Sequence, residues 1–411
     1  MRVTIMTSNV FAALLAGAAL GSAAPAFAQP LSVKPIIDTR LRTEHVDQQG
    51  FARDAAAVTA RLRAGAELSS GDWSLLAEGE ATLAIRERYD SGINGKTQYP
   101  IVPDPQNLEL NRFQLQYRGL ARTIVTAGRQ RINLDDQRFV GAVGWRDNEQ
   151  TFDAARVETK ILKNLTADVT YAWSARTIWG IDGKGARQQA ISGDNLFAQI
   201  AYASPYGTLT GFAYLVDQDE AAVQGFRLSS QTYGVRFAGG RPLSPKVKLN
   251  YAASYARQSD HHRNPNDYAA DFYALEAGLD VAALKLGLGY EVLGADDGRP
   301  LTSVQTPLAT LHKFQGWADK FLTTPPNGLR DLYASAGYGW KSVAGLDAIN
   351  AAVIYHRFDS DRLNIAYGSE WDAMISARRG RWTATAKVAD YRAKHFASDT
   401  RKIWLMLEWA Y

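Results

Sequence analysis

Leu165-Thr166-Ala167-Asp168-Val169-Thr170-Tyr171-Ala172-Trp173-Ser174-Ala175-Arg176 places Leu165, Ala167, Val169, Tyr171 and Trp173 at one parity and Thr166, Asp168, Thr170, Ser174 and Arg176 at the other. A strand sends successive side chains to opposite faces, so this segment has one apolar and one polar face. The pattern returns in Val247, Leu249, Tyr251, Ala253 and Tyr255, and in Leu284, Leu286, Leu288, Tyr290 and Val292. Leu332, Ala334, Ala336, Tyr338 and Trp340 repeat it again. Glu78, Glu80, Arg86 and Arg88 occupy the polar parity, where a soluble sandwich would need apolar core residues. The apolar face therefore meets lipid. The expected fold is all-β, a transmembrane antiparallel up-and-down β-barrel of the outer-membrane type.

The bulk composition agrees with that reading. Hydrophobic residues are 46% of the chain and charged residues 21%, and no segment beyond residue 28 approaches the roughly 18–20 apolar residues of a spanning helix. A barrel tolerates this dilution, because lumen-facing residues alternate with lipid-facing ones. Nineteen Tyr, ten Trp and fifteen Phe suit its interfacial girdles. Cysteine is absent, which excludes disulfides, zinc-thiolate sites and thiol nucleophiles. Residues 1–28 read as a secretory signal peptide: Arg2, an apolar run from Val10 to Gly21, then Ala26-Phe27-Ala28 as the cleavage site. Residues 29–411 form the single barrel domain, and export fits an outer-membrane destination.

About eighteen strand-length segments can be counted from Ile36–Val46 to Arg401–Tyr411, an even number as expected of a single-chain bacterial barrel. Ser70-Gly71-Asp72, Lys163-Asn164, Ser204–Gly207, Ala282-Ala283 and Gly380-Arg381 are tight turns. Between them fall long polar links at 90–107, 133–151, 177–194, 217–228 and 294–328. Short periplasmic turns alternating with long external loops are the barrel arrangement. Ile403, Leu405, Leu407, Trp409 and Tyr411 alternate to an aromatic last residue, with Trp409 and Tyr411 as the expected signal for the outer-membrane assembly machinery.

Assigned by parity, Arg61, Arg63, Arg86, Arg88, Arg112, Arg118, Arg129, Arg131, Arg156, Lys160 and Arg176 point into the lumen. Inward acids are fewer, among them Glu67, Glu78, Glu80, Glu158 and Asp168 in the same strands. Arginine grips carboxylates through a planar fork and stays charged, so these cations either form an anion path or brace the wall in cross-strand pairs. The loop 133–151, with Asp135, Asp136, Arg138, Trp145, Arg146 and Asp147, either folds inward as a constriction or packs on the outer rim. In the loop 294–328, Thr306-Pro307 resembles a helix start, and Leu308, Leu311, Phe314, Trp317, Ala318, Phe321 and Leu322 recur at helical spacing. A helix presenting Phe314, Trp317 and Phe321 is expected there, either as a lid over the lumen or packed on the rim.

Three blocks carry a family resemblance. Gly128-Arg129-Gln130-Arg131-Ile132-Asn133-Leu134-Asp135-Asp136-Gln137-Arg138-Phe139-Val140-Gly141 and Gly144-Trp145-Arg146-Asp147-Asn148-Glu149-Gln150-Thr151-Phe152-Asp153-Ala154 resemble a motif of alginate-export-family outer-membrane proteins. Thr306-Pro307-Leu308-Ala309-Thr310-Leu311-His312-Lys313-Phe314-Gln315-Gly316-Trp317-Ala318-Asp319-Lys320-Phe321 resembles a second block of that family. The resemblance implies an eighteen-stranded barrel whose arginine-rich lumen conducts a polyuronate outward, with Arg129 and Arg131 matching the motif. The family also includes porin-like channels, and this chain is shorter than the polysaccharide exporters, mainly in its loops.

Other chemistry has little support. The six histidines are scattered, and neither G-x-S-x-G nor H-E-x-x-H occurs. His356 with a nearby Ser and Asp would be the only route to a barrel hydrolase. His261-His262 with Asp260 and Asp267 could capture a metal, and Asp135-Asp136 could hold Ca²⁺, but surface decoration and arginine pairing are the simpler readings. No cofactor or metal is expected, and no basic run marks a nucleic-acid binder. The expectation is a monomeric, non-enzymatic outer-membrane channel for anionic solutes, with export of alginate-like polyuronates as its specific form, a general or sugar-acid uptake porin as the alternative and a barrel hydrolase as the more distant rival.

Overall fold

The computed structural model describes residues 30–411, so the expected signal peptide lies outside the described residues. Eighteen strands follow one another: β1 (Ser32–Gln48), β2 (Ala55–Ser70), β3 (Trp73–Arg88), β4 (Asn107–Leu120), β5 (Thr123–Gln130) and β6 (Thr151–Leu162). Then come β7 (Leu165–Arg176), β8 (Ala190–Ser204), β9 (Gly207–Val216), β10 (Ser230–Ser244), β11 (Val247–Asp260) and β12 (Ala269–Val281). The last six are β13 (Leu284–Leu293), β14 (Leu329–Val343), β15 (Leu346–Asp359), β16 (Ala366–Arg379), β17 (Trp382–Ala393) and β18 (Thr400–Ala410). Each pairs antiparallel with its chain neighbours, and β1 pairs with β18 to close the barrel. Closure satisfies every ladder and leaves no edge in lipid. The seam runs Leu41 against Leu407, and the Tyr411 N–H reaches the Ile37 carbonyl at 2.9 Å.

The eight links at one end, from Gly71-Asp72 to Gly380-Arg381, are two residues each, while the other end carries the long ones. That asymmetry assigns the short end to the periplasm. On the outer wall Leu288 and Leu405 are exposed, whereas Trp404 and Met406, between the outward residues of β18, are buried inside. Aromatics mark both membrane boundaries, with Trp73, Tyr117, Tyr338, Trp340, Trp382 and Trp409 near the short end. Tyr171, Trp173, Tyr255, Tyr273, Tyr355 and Trp371 stand near the long end. Such rings place an apolar body in lipid and a polar handle at the headgroups.

The buried apolar core lies within the lumen, not in the wall. Phe152, Phe197, Phe212, Tyr214, Phe272, Phe358, Tyr391 and Trp404 project inward and are covered by Val140, Leu308, Phe321 and their neighbours from the two longest links.

Two expectations need correction. Val58 pairs with Arg86 but Thr59 with Ala84, so Ile85 is an extra residue in β3. A bulge inserts one residue and reverses parity beyond it. Arg86 and Arg88 therefore pair with Val58 and Ala56 of the outward face, and neither belongs to the lumen. The lid helix does not form either. Among the described residues helix is confined to single turns at Gln224–Phe226 and Leu311–Lys313. Gln315, Gly316 and Asp319 all have positive φ, which an α-helix cannot contain. The Trp317 and Ala318 N–H groups donate instead to Asp372 at 3.2 Å and Glu370 at 2.7 Å. A Cβ on Gly316 would collide with the Glu370 carboxylate, so glycine is required where the loop meets the wall. Phe314, Trp317 and Phe321 then fill three separate niches.

Candidate functional site: two loops across the lumen

The link 131–150 leaves β5 and turns into the barrel. Its backbone forfeits water there and needs replacement donors, which two arginines of β1 supply. Arg40 donates to the Trp145 carbonyl at 2.9 Å and the Arg146 carbonyl at 3.2 Å, and Arg42 donates to the Trp145 carbonyl at 2.8 Å. From β2, Thr59 donates to the Asp147 carboxylate at 2.5 Å and Arg63 to its carbonyl at 3.1 Å.

Charges stack beneath this contact. Glu149 sits between Arg63 at 2.8 Å and Arg131, which grips it through two bonds of 2.7 Å. Burial raises the Glu149 pKa, but Arg63 and Arg131 outweigh it and hold the group below its usual value. Asp147 goes the other way, raised by burial and by neighbouring Asp104. Arg112 forks Glu78 at 2.9 and 2.6 Å, and Arg156 pairs with Asp168 on the next inward rung.

The far side of the same link reaches β10 and β13. Asp135 and Asp136 meet Arg236 at 3.2 and 3.3 Å, and Arg138 pairs with Glu291 and bonds Thr306 at 3.0 Å. The link 294–328 joins it there: the Gly141 N–H donates to the Leu308 carbonyl at 2.9 Å, as does the Gln150 side chain. Both long links thus cross the lumen as one body. A cavity of about 230 Å³ remains between them and β12–β15, with Arg138 and Lys313 facing Glu276, Glu291 and Asp331.

Where the crossing meets β1, β17 and β18, the side chains interlock. The Trp145 indole stacks on the His312 ring at 4.3 Å and an interplanar angle of 6°. The Lys387 ammonium lies 3.8 Å from the Trp145 ring centroid and 3.7 Å from that of Trp317. Asp319 collects His312 at 2.8 Å, Arg146 at 2.8 Å and Lys402 at 2.9 Å. Burial opposes the Asp319 charge, but the His312 N–H and the cations Lys402 and Arg146 hold its pKa well below the usual range.

The predicted lumen residues separate into groups. Arg61 and Arg63 face inward and are buried. Arg112, Arg131 and Arg156 are inward and partly accessible, and Arg118 bonds Gln116 near the short turns. Arg176 reaches Glu109 at 3.4 Å. Arg129 contradicts its assignment: it pairs in register with outward Phe113 and with Asp153, which it forks at 2.8 and 3.0 Å. The inward slots of β5 belong to Thr126, Gly128 and Gln130, and Arg131 enters the lumen only because the strand has ended. Asp135, Asp136, Arg138, Trp145 and Arg146 all lie in the crossing. Sequence reasoning missed Arg40, Arg42 and Glu44, although they alternate with Leu41 and Thr43 in β1. It also missed Lys387 and Lys402, single cations with no local pattern.

His356 Nδ1 lies 2.9 Å from Asp331, and its Nε2 faces a second carboxylate, Asp372, at 3.8 Å, where a hydrolase would need its nucleophile. The metal-capable group that assembles among the described residues is Asp194, Asp217 and His262 at the outer rim, and it includes neither Asp260 nor Asp267.

The alginate export family profile matches residues 36–401. No curated protein matches the chain significantly. Similar solved structures include OccAB4 of Acinetobacter baumannii, at 15% identity and TM-score 0.70, covering 92% of this chain and 98% of that one. OpdQ of Pseudomonas aeruginosa gives 13% identity and TM-score 0.69, over 92% and 97%. OccK2 (OpdF) of Pseudomonas aeruginosa in complex with glucuronate gives 13% identity and TM-score 0.63, over 92% and 98%. At such identity the likeness concerns the barrel alone, whereas the profile spans nearly every strand. The chain belongs to the alginate export family, and it folds as a closed eighteen-stranded outer-membrane β-barrel.

Proposed function

We propose that the channel passes small anionic solutes, with sugar acids as the leading class, by diffusion and without a covalent step. One observation carries this reading: the accessible lumenal cations form a descending line. Arg131 stands beside the crossing, Arg112 and Arg156 follow on inward rungs of β4 and β6, and exposed Lys160 and Arg122 meet near the short turns. The buried wall arginines Arg40, Arg42 and Arg63, by contrast, are committed to holding the link 131–150. Cations spaced along a narrow path exchange a carboxylate through several weak sites, so it can both enter and leave. One solved structure of similar fold is a complex with glucuronate, which supports a monomeric uronate as solute. Polyuronate export is the second reading, favoured by the family match. The filled bore weighs against a polymer.

Planar-bilayer recording across a KCl gradient tests the proposal. The expected reversal potential indicates anion preference, and added glucuronate should produce brief closures. Arg131→Ala combined with Arg112→Ala should weaken both effects, while Arg129→Ala should leave them unchanged. Cation preference in the unmodified protein would overturn the reading, and block by polymannuronate but not by the monomer would favour export.

The C-terminal strand is proposed to be the assembly signal. Removing Trp409, Ala410 and Tyr411 takes away the Tyr411–Ile37 seam bond and the Trp409–Trp382 contact. Little heat-modifiable barrel should then be recovered from outer membranes; wild-type recovery would refute the role.

A further inference from the structure

We infer that His312 is the proton-sensitive pin of a latch that holds both long links across the lumen, so that acid releases them and widens the channel. The inference rests on the channel reading and adds a regulation to it.

With Lys387 as an ammonium, the form its close contacts with the Trp145 and Trp317 ring faces favour, the hydrogen-bond chemistry leaves one protonation pattern. His312 Nε2 lies 3.0 Å from the Lys387 ammonium, which has donors and no acceptor. Nε2 must therefore be the bare, accepting nitrogen. Nδ1 then carries the proton and donates to Asp319 Oδ1 at 2.8 Å. The neutral ring is what allows an ammonium to sit against an imidazole, and the same ammonium lies over the Trp145 and Trp317 rings. Because Trp145 belongs to one link and His312 and Trp317 to the other, Lys387 ties both to β17.

A proton on Nε2 destroys the arrangement. It removes the acceptor and sets an imidazolium against an ammonium. The surroundings offer little relief. On its own link His312 has Asp319, and that carboxylate is already shared with Arg146 from the other link and Lys402 from β18. From β1, Arg42 lies over the Trp145 ring at 4.3 Å, and Glu44 is taken up by Arg42 and Arg146. From β16, Asp372 and Glu370 bond the Trp317 and Ala318 N–H groups. Burial lowers the His312 pKa most, Asp319 raises it, and Lys387 and Arg146 lower it further, leaving it well below the ordinary value. A released ring would return to about 6.5. The released state thus binds more protons below that pH, and the latched state loses ground as pH falls from there. Lys320, held at about 7 by burial and Lys402, titrates nearby and needs a control.

The test is single-channel conductance of the full chain between pH 7.5 and pH 4, with hydrogen exchange of residues 131–150 and 294–328 in detergent. Wild type should show a rise in conductance on acidification together with faster exchange in both links. His312→Gln cannot take up the proton but keeps Lys320, and should lose the acid-dependent rise. Lys387→Met should conduct at neutral pH as wild type does in acid. No rise in wild type, or an unchanged rise in His312→Gln, would overturn the latch. Absence of any conductance at every pH would instead count against the channel reading.

Discussion

Replacing Arg146 with alanine is expected to raise single-channel conductance several-fold while the barrel stays folded. Arg146 is buried and pairs with Glu44 at 3.2 Å, Asp104 at 3.5 Å and Asp319 at 2.8 Å, from β1, the link 89–106 and the link 294–328. Burial disfavours its charge, yet these carboxylates outweigh the penalty and keep its pKa above the usual value. Removing one member of a buried ion network costs about 3–5 kcal/mol, because its partners stay desolvated and unpaired. That loss falls on docking of the links, since the strand ladders involve none of these side chains. Heat-modifiable mobility should therefore be unchanged while the lumen opens. Arg146→Lys should restore only part of the effect, because a point charge cannot fork three acids. Wild-type conductance in Arg146→Ala would show that the ion network does not hold the crossing.

Phe321→Ala is expected to undock the link 294–328 by a different physical route. Phe321 is 3% exposed, with ring centroids 4.5 Å from Phe358, 5.2 Å from Phe396 and 6.0 Å from Tyr391. Truncating a buried phenylalanine costs about 3–5 kcal/mol through lost transfer energy and the cavity left behind. Limited proteolysis of the full chain should then cut within 294–328, and the channel current should become noisier. Phe321→Leu fills much of the same volume and should behave close to wild type. Resistance to protease in Phe321→Ala would mean that the polar contacts, the Glu370 and Asp372 bonds among them, retain the link without it.

The helical spacing of Leu308, Leu311, Phe314, Trp317 and Phe321 shows where sequence reading misleads. Those residues are apolar because each is covered, Leu308 and Phe321 fully and Leu311, Phe314 and Trp317 in part. They are covered in separate places, Leu308 beside Val140, Phe314 under Arg138, Trp317 at Lys387 and Phe321 among the aromatics of β15–β17. Periodicity of burial resembles a helix here only because the loop threads several niches in turn.

Alternation from Leu165 to Arg176 and its repeats was sufficient by itself for the barrel, its strand number and the lipid-facing residues. Lipid on one side and water on the other act on every second residue, so that information is local and written along the chain. The lumen's contents required the tertiary structure. One extra residue at Ile85 turned Arg86 and Arg88 outward, the pairing of Arg129 with Phe113 kept it from the channel, and Arg40 holds a loop carbonyl 105 residues away. Those outcomes depend on which distant strand or loop stands opposite, and a periodic pattern holds no record of its partner.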